Sequence, residues 1–132
     1  MSDRAAIGEG ALRAIVAGAA ALGLSAVAAG AFGAHALSDP HAKALLQTGG
    51  QYGLTHALAA IAALVVDGLG GRRALAAAWC FLAGGAIFSA SLYALALTSI
   101  LWLGAVTPVG GVLMLAGWAL LAWSGLTLRI SA

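Results

Sequence analysis

Between Ala74 and Leu128 the chain carries no Asp, Glu, Lys or Arg. Ala14 to Ser38 and Ala44 to Val66 are equally free of formal charge. A soluble fold of 132 residues cannot enclose that much apolar sequence, because small domains leave a large share of their surface in water. A bilayer removes the conflict: about 20 apolar residues cross its hydrocarbon as one helix, with every backbone polar group satisfied inside the helix. Four stretches of that length occupy most of the chain. The expected fold class is therefore all-α, an integral membrane bundle of four transmembrane helices forming a single domain over 1–132. The spans are expected at about 12–37, 44–66, 74–98 and 107–128.

The punctuation between the runs supports this division. Asp39 is a good N-cap and Pro40 suits the first turn of a helix, so helix two should begin there. Its first turns, with Lys43, Gln47, Thr48 and Gln51, are too polar for mid-bilayer. They should stand above the hydrocarbon or form an interfacial turn kinked at Gly49 and Gly50. Asp67–Arg73 has the glycine density of a loop. Ser99 to Val106 is a tight apolar link, and Thr107 is expected to cap span four ahead of Pro108. Arg4 and Arg13 before an Ala-rich run fit a signal peptide loosely. The run from Ala14 to Leu37, however, exceeds an h-region of about 7–15 residues and reads as a first span.

Orientation follows from the cations. Arg4, Arg13, Arg72, Arg73 and Arg129 fall on one side of a four-span chain and Lys43 on the other. That asymmetry puts both termini in the cytoplasm and argues against dual topology. Trp102, Trp118, Trp123 and Tyr93 are candidate interface anchors, Trp118 lying deepest.

Composition excludes several functions. Charged residues make up 8% of the chain, against about 25% in ordinary soluble domains. No basic patch with interleaved aromatics exists for nucleic acid. The single cysteine, Cys80, permits no intrachain disulfide or thiolate cluster and reads as a small buried hydrophobe. No carboxylate lies within a span to orient a catalytic base, so no enzyme is expected.

Small residues set the expected packing. Helices in lipid associate by close backbone approach, and small residues permit it. Ala26, Gly30 and Ala34 form a four-residue stripe on span one, extended by Ala19 and Gly23. Gly85 and Ser89 do the same on span three, and Gly110, Gly111 and Gly117 on span four. Such stripes serve a bundle interior or an oligomer interface. The partners they imply are the lipid bilayer and a second copy or another membrane protein.

Polar groups in hydrocarbon demand partners. His56 lies about ten residues, or about 15 Å of helix, from Asp67. Tyr52 shares its face and Thr55 adjoins it. Ser89, Ser91 and Tyr93 on span three are the expected partners. The set is polar glue or, alternatively, a polar path for a proton or ligand. At the opposite face His35, Asp39 and His41 are a candidate outer-face cluster for a metal ion, though such groups are ordinarily solvated. His35 and His56 differ in depth by roughly 10–15 Å, which does not suit two axial ligands of one haem. No metal or cofactor is expected.

Several stretches together resemble a known family. They are Gly30-Ala31-Phe32-Gly33-Ala34-His35, Thr48-Gly49 with Tyr52, and His56-Ala57-Leu58. Phe88-Ser89-Ala90-Ser91-Leu92-Tyr93, Gly104, Thr107-Pro108-Val109-Gly110-Gly111 and Gly117-Trp118 complete the set. In this order they resemble the domain-of-unknown-function 423 family of small four-helix membrane proteins. The eukaryotic transmembrane protein 256 is similar. The family pattern has Gln after the tyrosine and Gly between the serines, where this chain has Gly53 and Ala90. The resemblance implies an inner-membrane location and a four-span fold, and implies no activity.

Overall fold

The structure, a computed structural model, describes residues 3–129 and the side chains of residues 8–129. Four helices follow in order: α1 (Asp3–His35), α2 (Pro40–Gly68), α3 (Ala74–Thr98) and α4 (Thr107–Thr127). A short 3₁₀ turn, Leu101–Ala105, leads into α4. Each of the four is long and apolar enough to cross a membrane.

The first helix begins at Asp3, well before Leu12, and ends at His35. Its 33 residues span about 50 Å, against about 30 Å of hydrocarbon, so one end overhangs. No proline interrupts its first turns. Glu9 and Arg13 pair one turn apart at 3.9 Å on an exposed face, which keeps their charges in water. The side chain of Arg4 lies outside the described residues.

Asp39 caps α2 by accepting the Ala42 N–H at 2.9 Å, with Pro40 in the first turn. The helix runs unbroken through Gly49 and Gly50, where a kink was one expectation. Both glycines are buried contacts instead. A Cβ on Gly49 would meet the Tyr93 ring at 2.7 Å, and one on Gly50 would meet the Ala26 carbonyl oxygen at 3.1 Å. The helix ends in a Schellman turn: Gly70 takes φ 88°, Gly70 N–H donates to Asp67 O, and Gly71 N–H to Val66 O.

Helices α2 and α3 form the centre. Alanines interleave between them at Ala59, Ala60, Ala63, Ala77 and Ala78, around a fully buried Phe81. Ile15 of α1 completes that cluster. Helix α1 lies along α2 and touches α3, whereas α4 packs on α3 and barely meets α2. Helices α1 and α4 do not touch each other.

The inner face of α1 is formed by Ile15, Ala19, Leu22, Ala26 and Gly33. Ala26 is thus on it. Ala34 is exposed and Gly30 has nothing within 4 Å of its Cβ position, so these two stand outside the contact. The four-residue spacing drifts around the helix, whereas the observed face follows alternating steps of three and four. On α4 the neighbouring glycines also divide. Gly110 meets the α3 backbone at Gly84 and Phe88, while Gly111 has nothing within 4 Å. Gly85 nests between Leu22 and the His56 Cβ.

Thr107 does not cap α4 with its side chain; Val106 is the N-cap. The Thr107 hydroxyl is instead bonded to Ser91 at 2.8 Å, fixing the start of α4 against α3.

Candidate functional site

His56 sits on the α3-facing side of α2 and is 5% exposed. Both ring nitrogens are engaged: Nδ1 lies 2.8 Å from the Tyr52 carbonyl oxygen, and the Trp118 indole N–H donates to Nε2 at 3.1 Å. An indole N–H is a donor only, so Nε2 must present its lone pair. The proton of the neutral ring is then on Nδ1, which donates to the Tyr52 carbonyl. A doubly protonated ring would set two donors face to face at Trp118.

Aromatic rings enclose this pair. Tyr52 stacks parallel to the imidazole with centroids 6.0 Å apart, Phe81 tilts against it at 5.7 Å, and Trp118 stands edge-on at 6.1 Å. Phe81 and Trp118 pack T-shaped at 4.8 Å. Gly117 permits this, since a Cβ there would lie 2.7 Å from the Phe81 ring. Because α4 leans on α3 and hardly touches α2, a groove of about 340 Å³ opens between α2 and α4. Tyr52, His56, Phe88, Met114 and Trp118 line it.

The other expected residues go elsewhere. Ser89 donates to the Gly49 carbonyl at 2.7 Å, tying α3 to α2. Gly53 makes room for that hydroxyl: a Cβ there would lie 2.6 Å from it. Ser91 bonds Thr107, and Thr55 donates to Gln51 O on its own helix. None of the three reaches the His56 ring. Tyr93 lines a separate cleft with Ser25 and Ser89, its nearest hydroxyl neighbours, and among the described residues its buried hydroxyl makes no hydrogen bond of ordinary geometry.

At the other face the cluster of His35, Asp39 and His41 does not assemble. His35 ends α1 in an exposed position, Asp39 is spent on its cap, and His41 opens α2. Among the described residues no group of three His, Cys, Asp or Glu side chains is placed to hold a metal ion. The connection through Pro40 turns α2 back with its own cap, which takes Asp39 away from His35.

Trp118, Phe81 and Phe88 were not anticipated beside His56. A signal existed. Trp118 falls in the middle of α4, and an indole N–H at that depth must find an acceptor. The His56 ring is a side-chain acceptor at matching depth.

This arrangement can hold an apolar or aromatic guest against the His56 and Trp118 rings. The hydroxyls of Ser89, Ser91 and Ser124 are committed to hydrogen bonds within the chain. The site offers no ready axial ligand, since Trp118 occupies the lone pair of Nε2.

An all-helical bundle with four bilayer-length helices and a histidine–tryptophan pair flanked by aromatics defines a small polytopic integral membrane protein. Residues 29–111 match the family described as "Protein of unknown function (DUF423)". UPF0382 membrane protein YwdK of Bacillus subtilis is 43% identical over 103 residues, covering 74% of this chain and 84% of the relative. UPF0382 inner membrane protein YgdD of Escherichia coli is 42% identical over 117 residues, covering 84% and 88%. A Staphylococcus aureus relative, UPF0382 membrane protein SAB0533, is 40% identical over 101 residues, covering 74% and 83%. The chain belongs to the DUF423 family. No solved structure matches it significantly.

Proposed function

We propose that this is a non-enzymatic structural or accessory component of the bacterial inner membrane, acting by contact of its helix faces with a second copy or another membrane protein. The observation that supports it is how the intramembrane polar groups are used. His56, Ser89, Ser91, Thr107 and Ser124 all bond within the chain, and no charged side chain lies between Ala74 and Leu128 to lead an ion across. The flanking helices keep open faces, with most of the apolar stretches of α1 and α4 unburied by the rest of the chain. Cross-linking and purification in mild detergent test the proposal. A defined oligomer or a stoichiometric membrane partner is the expected result, and a bare monomer carrying only lipid would overturn it.

The groove at His56 favours a second reading, a small oligomeric transporter or channel for an uncharged or weakly basic species. Flux in proteoliposomes that survives His56→Ala unchanged would remove that role. A metal- or haem-binding role fits worst, because both His56 nitrogens are engaged. In the proposed orientation both termini are cytoplasmic, carried by Arg4, Arg13, Arg72, Arg73 and Arg129 against Lys43. Replacing Arg72 and Arg73 with Gln should produce a mixed population of a C-terminal reporter, where the native chain gives one side.

A further inference from the structure

The end of the molecule that holds the α2–α3 loop contains a further cavity, separate from the His56 groove and the Tyr93 cleft. It measures about 620 Å³ and is lined by Gly70, Arg72, Arg73, Trp123, Thr127 and Arg129. Three arginines line it, and among the described residues no carboxylate does. Among the described residues none of the three arginines pairs with an acidic side chain. Like charges gathered without a counter-ion repel, and an anion between them relieves that repulsion. The guanidinium fork matches phosphate oxygens in pairs.

The cavity is held in shape by the fold. Ser124 is fully buried and its hydroxyl donates to the Arg72 carbonyl, fastening the loop to α4. Arg73 adopts φ 74° and places its guanidinium 5.1 Å from the centre of the Trp123 ring. Trp123 is itself half exposed, as a ring at the edge of the hydrocarbon should be. A second cleft of about 290 Å³ shares Arg73 and Trp123 and continues past Ala119 and Leu120 toward the apolar part of α4. A basic pocket thus adjoins an open apolar cleft one turn deeper along α4.

We propose that the two clefts together bind one anionic phospholipid, its phosphodiester between Arg72, Arg73 and Arg129 and an acyl chain along Ala119 and Leu120. A free phosphate ion shares the headgroup chemistry, and the adjoining apolar cleft favours the lipid. The arginines are then a recognition site as well as an orientation signal.

Native mass spectrometry of the purified full-length chain tests this, with phosphatidylglycerol, phosphatidylcholine and inorganic phosphate as separate probes. Phosphatidylglycerol should be retained in preference to phosphatidylcholine. Arg73→Gln combined with Arg129→Gln should weaken that retention by about tenfold or more, from the contribution of each cation near an anionic surface. Arg129→Gln alone, beyond the end of α4, should weaken it less while leaving helicity unchanged. Arg13→Gln, a cation outside the cavity, should leave retention within about twofold of the native chain. Ala119→Trp should displace the lipid by filling the apolar cleft. Equal retention of both lipids, or an equal loss from Arg13→Gln, would overturn the proposal as non-specific surface charge. Tight binding of inorganic phosphate that Ala119→Trp leaves unchanged would overturn the lipid as the ligand.

Discussion

Gly110 and Gly111 are adjacent on α4, and the structure gives substitution at each an opposite sign. A Cβ at Gly110 would lie 2.6 Å from the Phe88 nitrogen, 2.7 Å from the Gly84 carbonyl oxygen and 2.9 Å from the Phe88 Cα. All three are backbone atoms of α3, so no side chain can turn aside. Reaching ordinary contact at 3.4 Å requires the helices to part by roughly 0.8 Å. A gap of that size forfeits a quarter to a half of the dispersion energy of the atoms along the seam. Gly110→Ala should therefore cost about 1–3 kcal/mol, the usual range for overpacking. A Cβ at Gly111 meets nothing within 4 Å. Gly111→Ala should be neutral or stabilise by up to about 1 kcal/mol through helix propensity. Titration with sodium dodecyl sulfate from a mild detergent, followed by tryptophan fluorescence and circular dichroism, reads both. The midpoint should fall for Gly110→Ala and hold or rise for Gly111→Ala. An unchanged midpoint for Gly110→Ala, or an equal fall for both, would refute the close α3–α4 crossing.

Two further substitutions probe the polar interior in the same assay. Trp118→Phe keeps an aromatic ring against Phe81 but strips the donor from His56 Nε2, and should cost about 0.6–2 kcal/mol; no loss would mean that the pair contributes nothing. Tyr93→Phe removes a buried hydroxyl without a partner and should be neutral or stabilising. A loss above about 1 kcal/mol would reveal a partner for that hydroxyl.

The class of the fold was legible because charge is so costly in hydrocarbon that its absence over whole helix lengths leaves few alternatives. Asp39 and Pro40 marked the start of α2 for the same local reasons that operate in water. The start of α1 was less legible: the sequence up to Leu12 carries Asp3, Arg4 and Glu9 but no proline, and charge reports depth rather than secondary structure. The interior of the site was read in part. Tyr52 and His56 share a helix face, a relation that spacing alone supplies. The pairing of His56 with Trp118 crosses from α2 to α4 and depends on how far α4 leans over α3. That lean is set by Gly84, Gly110 and Gly117, whose roles become visible only when two helices are laid together. Likewise Ser89 chose the Gly49 carbonyl because Gly49 and Gly53 expose backbone there, which no count of hydroxyls would indicate.

The missing contact between α1 and α4 bears on how the chain is built during synthesis. Helix α1 finds its main surface on α2, the next helix to emerge. Helix α3 then settles on both, and α4 docks on α3 with little need of anything earlier. Every helix meets its chief partner as its immediate neighbour in the chain, and no early helix waits for the last one to close a ring. Assembly in the membrane can therefore proceed in the order of translation, each hairpin stabilised before the next enters. Truncation after Thr98 would leave the α1–α2–α3 alanine contacts but bare one side of Phe81, which packs on Gly117 and Trp118 of α4.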